Sequence, residues 1–205
     1  MTILDSVPIR QIRATYDDQT IRVYQAYGSP IADALNAAGR FVEPFKMTRM
    51  TWIKPSYLWM MYRCGWSYKD DGQRRVFAFD ITREGFEWAL ANSCSSHLKG
   101  LSKGEARELM DTHPVRVQWD PERDIHHNPL EHRSIQIGLS GDAVPRYVND
   151  WIVRFEEITD EAKEIKALID AGDLDQVRSR LANERPYVLP ADLAEHVGAS
   201  EGAGR

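Results

Sequence analysis

Five cations and five aromatic rings share one short stretch of this chain. Lys46, Arg49, Lys54, Arg63 and Lys69 lie between Glu43 and Asp70 with no acidic residue among them. Trp52, Tyr57, Trp59, Tyr62 and Trp66 are interleaved with these cations. In a protein of net charge −5, that is a local reversal of sign. Rings stack on bases and cations hold phosphates, so the pattern suits a nucleotide or a nucleic acid. The stretch also holds four of the six methionines, which is the composition of a core helix with a solvated basic edge. Both readings hold together if the rings pack inward and the cations face a ligand. For a nucleic acid, Lys46, Arg63 and Lys69 are the candidate contacts, and Arg13, beside the first strands, would extend the positive surface.

Other chemistry is thinner. His126, His127 and His132 fall in one polar segment with Asp124 and Glu131, but their spacing matches no usual zinc pattern, and no metal is expected. His132 and Arg133 open a strand and could face the same pocket as Gln136. Asp120 and Glu122 pair two carboxylates that a turn after a strand explains. No P-loop, nucleophile elbow or glycine-rich dinucleotide fingerprint occurs. Cys64 and Cys94 stand apart without CxxC spacing, which excludes a disulfide scaffold.

The elements that would position these groups follow from periodicity. Thr20 to Tyr27 alternates as a strand, with Ile21, Val23 and Gln25 on one face and Tyr24 and Ala26 on the other. A helix follows from Ser29-Pro30 to Gly39. Met47 to Ile53 reads as a strand that carries Thr51, and residues 55–64 as a helix with Gly65 as its C-cap. The N-terminus of that helix, beside Lys54 and Ser56, is a candidate anion site. Further strands are expected at 74–81, 115–119 and 133–139, with a short helix at 82–90. Residues 92–103 and 120–132 read as polar loops. Everything after Asp142 reads as helix, with Tyr147, Trp151, Phe155 and Ile158 as one packing stripe. A last helix from Asp173 to Asn183 would point Leu174, Val177 and Leu181 inward and contribute less.

These elements give an α+β protein whose antiparallel strands form a cleft. The expected organisation is a ligand-binding domain at 1–141, a helical segment at 142–197 packed on it, and a disordered tail at 198–205. The N-terminus lacks an apolar leader, and no apolar run reaches membrane-spanning length, so a cytoplasmic protein without a membrane partner is expected. Composition is silent on oligomeric state.

Three blocks carry a resemblance: IRATYDDQTIRVYQAY (12–27), RMTWIKPSYLWMMYRCGW (49–66) and HNPLEHRSIQIGL (127–139). They are similar to a bacterial and fungal family described as a domain of unknown function, DUF4291, which implies no activity. The order of elements also resembles the ADP-ribosyltransferase fold, which includes the RNA 2′-phosphotransferases. In that comparison VYQAY (23–27) takes the place of the first strand, RMT (49–51) with PSYLWMMY (55–62) the second strand and helix, and RSIQIGLS (133–140) the late catalytic strand. The resemblance implies an NAD or related nucleotide cofactor, with Tyr24, Arg49, Thr51, Lys54 and Tyr57 binding it. It makes Gln25, Arg133 and Gln136 the catalytic positions. The departure is that Gln25 and Gln136 stand where the fold usually carries histidine, arginine or glutamate. A glutamine there can orient a ribose hydroxyl but cannot serve as a general base. The competing expectations are a non-catalytic RNA or DNA binder, which needs an exposed aromatic face, and a protein-interaction domain with an acidic tail.

Overall fold

The structure is a computed structural model that describes residues 7–95 and 102–200. The chain opens with β1 (Arg13–Ala14) and β2 (Thr20–Tyr27). It continues through α1 (Ser29–Ala38), β3 (Thr51–Ile53), α2 (Tyr57–Cys64), β4 (Arg75–Thr82) and α3 (Arg83–Ala91). Next come β5 (Ser93–Ser95), α4 (Lys103–Thr112), β6 (Val115–Arg123) and β7 (Pro129–Leu139). The short α5 (Ala143–Arg146) runs into a π-helical turn at Tyr147–Trp151, followed by β8 (Ile152–Glu157). The chain ends with α6 (Thr159–Ala171), α7 (Leu174–Arg180), β9 (Arg185–Pro186) and α8 (Ala191–Val197).

Two sheets carry the α+β architecture. One has the order β2-β4-β8 and is antiparallel throughout; the other has the order β3-β7-β6-β5. They meet at one antiparallel bridge between Tyr24 and Lys54, where the Tyr24 N–H donates to the Lys54 carbonyl at 2.7 Å. Period-2 alternation then sorts side chains between two cores. Phe77, Phe79 and Ile81 of β4 join Ile21 and Val23 in the larger core, and Val76 and Ala78 join Tyr24, Met60 and Met61 in the smaller. Each fully buried Phe or Ile contributes about 1.5–3 kcal/mol. Asp80 shares the face of Ala78 and is 4% exposed, so it needs counter-charge. Burial alone would raise its pKa, but Arg22 at 2.8 Å and Arg154 at 2.5 Å outweigh that and hold it below the usual range.

Several expectations need correction. The strand expected at 47–53 is confined to Thr51–Ile53. Residues 120–132 are not a loop: β6 and β7 are long arms of a hairpin closed by Asp124, whose Oδ1 accepts from the His126 and Asn128 N–H groups. β5 lies inside the expected loop at 92–103 and runs parallel to β6, so the sheets are not purely antiparallel. Residues 96–101 of that expected loop lie outside the described residues.

The largest revision concerns the region after Asp142, which is not all helix. β8 lies against β4, with Phe155 opposite Phe79, so Phe155 is a strand residue and the four-residue helical stripe does not exist. An aromatic at every fourth position matched helical period while the chain changed element after Trp151. Residues 142–197 are therefore woven into the same cores. Tyr187 and Val197 are both 4% exposed, whereas Leu174, expected inward, is 38% exposed. At the C-terminus, the Ser200 N–H donates to the Arg10 carbonyl at 2.7 Å, so 198–200 are pinned. Residues 201–205, also expected as tail, lie outside the described residues. Among the described residues no helix is long and apolar enough to cross a membrane.

Candidate functional site

The two sheets and the connection from α1 to β3 enclose a cleft of about 700 Å³, within the range typical of small-molecule sites. Gln25 lies on its wall from β2, Thr51 and Trp52 from β3, and Gln136 from β7. Tyr27, Phe45 and Met60 add apolar surface. The cations are Lys46, Arg49, Lys54 and Arg63, with Asp70 as the carboxylate at the edge. Lys46, Arg49 and Arg63 are exposed at the mouth, and Lys54 is 5% exposed. None of the four is in an ion pair among the described residues, although Arg22, Arg74, Arg75, Arg154, Arg178 and Arg180 each are. Arg63 donates to Gln73 Oε1 at 3.1 Å, a neutral acceptor that leaves its charge uncompensated.

Strand register explains which residues meet. Gln118 pairs with Gln136 and Asp120 with Ser134 across β6 and β7, so the four share one face. Trp52 pairs with Gly138, which puts Trp52 on that face, and Lys54 follows it in period. Gly138 is required here: a Cβ would stand 2.9 Å from the Trp52 ring that lies across it. The Gln136 and Gln118 amides both donate to Asp120, at 2.7 and 2.8 Å. Asp120 is thus the carboxylate nearest the late-strand glutamine. Its role was legible by carrying the alternation of VRVQW one residue further, onto the face of Gln118.

The same register excludes others. Arg133 lies on the opposite face from Gln136, its guanidinium donating to the Trp119 carbonyl at 3.0 Å. It does not line the cleft, and its catalytic assignment is withdrawn. Tyr24 points away from Gln25 and packs edge-on against Tyr57, centroids 5.5 Å apart. Both line a separate cavity of about 160 Å³ beside Arg22 and Arg180, so neither contacts a ligand in the main cleft. Arg13 donates to Gln11 Oε1 and the Glu184 carbonyl, away from the cleft. Lys69 is exposed on a turn outside the lining. His127 stacks on Trp66 with planes 10° apart, as packing at the hairpin tip.

Gln25 is at the wall, yet its amide is already engaged. Nε2 donates to Thr51 Oγ1 at 2.7 Å and to the Trp52 carbonyl at 3.1 Å, and Oε1 accepts from the Tyr147 hydroxyl at 2.7 Å. It ties β2, β3 and the π-helical turn together, and its assignment moves from catalysis to architecture. Thr51, holding that amide, is positional in the same way.

The N-terminus of α2, expected as an anion site, is occupied by a carboxyl group of the chain itself. Ser56 accepts from the Trp59 N–H at 3.1 Å, and the Glu184 carboxyl Oε1 accepts from the Tyr57 N–H at 2.6 Å. Glu184 is half-buried, its carboxyl end covered. Burial, reinforced by the charge of Glu122, pushes its pKa up to about 8. A carboxyl with a raised folded-state pKa binds its proton in the folded protein while the unfolded chain has lost it. Stability from this group is therefore full below about pH 4.5 and is lost as pH rises to 8. Glu184→Gln should flatten that slope and be more stable than wild type at pH 8, by roughly 1–3 kcal/mol after allowance for water access. Urea unfolding at pH 5, 6.5 and 8 measures it; parallel slopes in both proteins would remove Glu184 as the titrating group.

No curated protein matches this chain. Residues 11–187 match the model of a family described as Domain of unknown function (DUF4291), a span that includes every wall of the cleft, and the chain belongs to that family.

Proposed function

We propose that the protein binds a phosphate-bearing nucleotide of the NAD or ADP-ribose class in the cleft between its two sheets, and that ADP-ribosyl transfer is the chemistry the site serves. The observation that carries the reading is the set of four cations, without ion pairs among the described residues, in one cleft whose walls also hold Gln25, Thr51 and Gln136. Those three stand on the strands that resemble the nucleotide-binding strands of the ADP-ribosyltransferase fold. Arg49 and Arg63 at the mouth suit a pyrophosphate, and Trp52, Tyr27 and Phe45 give apolar surface for a base or nicotinamide. In transfer, the bond from ribose C1′ to nicotinamide breaks, its electron pair leaves with nicotinamide, positive charge develops on the sugar, and a nucleophile of the acceptor bonds to C1′. Asp120 does not line the cleft; held by two glutamine amides, it acts on that charge through Gln136, whose amide it orients.

The nucleic-acid alternative is weakened because its stacking surface is buried. Tyr57, Trp59 and Trp66 are 5%, 5% and 1% exposed. A thermal-shift panel of NAD, ADP-ribose, ATP and short RNA tests the choice. A ligand at 100 times its Kd should add about 2.7 kcal/mol, which is roughly 5–10 °C for a chain of this length. Arg49→Glu with Arg63→Glu should abolish that shift, while the unliganded protein changes by under about 0.5 kcal/mol for each exposed site. No shift with any nucleotide, or a shift untouched by the double variant, would overturn the reading.

A further inference from the structure

Lys54 is the cation of the cleft that its surroundings do not satisfy. Its ammonium has three donors, and among the described residues its one hydrogen-bond acceptor is the Trp52 carbonyl at 3.3 Å. The Trp59 ring lies under it at 5.6 Å to the centroid. Arg63 and Cys64 face it from α2, and Asp120 faces it from β6 without forming an ion pair. From β2 it meets the Tyr24 backbone N–H, which bonds its carbonyl, and Lys46 and Arg49 line the same cleft. A buried amine without an ion-pair partner is costly to charge.

We propose that Lys54 closes an anion site at the base of the cleft, as a neutral amine that takes up one proton when the phosphate of a ligand arrives. The inference rests on the cleft being the ligand site argued above, and it adds how that site is gated. An entering dianion supplies the two things that Lys54 lacks, a counter-charge and hydrogen-bond acceptors. Binding and protonation then favour one another by linkage. Burial first, and Arg63 second, lower the Lys54 pKa to about 7, so the free protein changes charge state within the neutral range.

The sign follows. The free amine is mostly neutral above pH 7 and the bound one is charged, so affinity falls as pH rises, by about tenfold per unit. Below pH 7 the amine is already protonated and affinity levels off.

Calorimetric titration with ADP-ribose in two buffers of different ionisation enthalpy reads the proton directly. Its diester pyrophosphate does not titrate near neutrality. About 0.9 proton should be taken up at pH 8 and about 0.5 at pH 7. Lys54→Arg, always charged, should bind without uptake. Lys54→Met should weaken binding yet raise the melting temperature of the free protein at neutral pH, since it removes a desolvated amine. Inorganic sulfate, a dianion throughout this range, is titrated in parallel. ADP-ribose binding without uptake, or with equal uptake in Lys54→Arg, overturns the inference and leaves the nucleotide reading standing. Sulfate binding with uptake but no ADP-ribose binding supports the anion site and overturns the nucleotide reading. Binding of neither probe overturns both.

Discussion

Trp151→Ala is expected to destabilise the protein by roughly 3–5 kcal/mol, the range for removing a large buried aromatic. Trp151 is 7% exposed and ends the π-helical turn that leads into β8. Its indole contacts Trp88, centroids 5.5 Å apart, and Tyr147 at 6.4 Å. It also lies flat on Gly85 of α3, where a Cβ would stand 2.4 Å from the ring. That distance is sub-contact for any carbon pair, so Gly85→Ala must push the indole out or shift α3. Gly85→Ala should itself cost 1–3 kcal/mol or more, as overpacking of a filled core does. Urea denaturation with a common m-value measures both. A loss under about 1 kcal/mol in Trp151→Ala would mean that the turn repacks and that Trp151 is not a keystone of β8.

Gln25→Ala should cost about 3 kcal/mol, although it removes a polar residue. The Tyr147 hydroxyl, Thr51 Oγ1 and the Trp52 carbonyl would each lose a buried partner. Leaving a buried group unpaired costs about 1–3 kcal/mol, and three neighbours of one side chain do not add fully. A cavity adds to that. Gln25→Leu keeps the volume and removes the bonds, so its loss reports the hydrogen bonds alone. Both variants should fail in the same way, by loosening the joint between β2 and β3. Near wild-type stability with nucleotide binding abolished would return Gln25 to a direct ligand role.

The legible part of the site was its charge. Lys46, Arg49, Lys54 and Arg63 were marked by the lack of any acidic residue from 44 to 69, and all four line one cleft. Exclusion of carboxylates is a one-dimensional property, and it survives folding because the stretch stays local. Most strands were legible for the same reason. The alternation of β2 and β4 placed Ile21, Val23, Phe77 and Phe79 on the correct faces, since side-chain period needs no knowledge of the partner strand.

What failed depended on partners distant in sequence. Tyr24 and Gln25 are adjacent, and only the position of β3 decides which of them meets the cleft. Arg133 is the exception: it is three residues from Gln136 on β7, and strand parity, which is readable along the chain, already sends the two to opposite faces. β8 reads as helix by its aromatic spacing and becomes a strand because β4 offers it an open edge.

By itself, then, the sequence determined the α+β class, the main strands, α2 with its cap, and a basic segment able to meet phosphate. The tertiary structure alone decided that Lys54 is buried without an ion pair among the described residues, that Asp120 joins Gln136, and that Gln25 is already satisfied. Charge and periodicity are written along the chain, whereas burial and hydrogen-bond satisfaction depend on which segments come together, and the meeting of β2 with β3 is what sets them here.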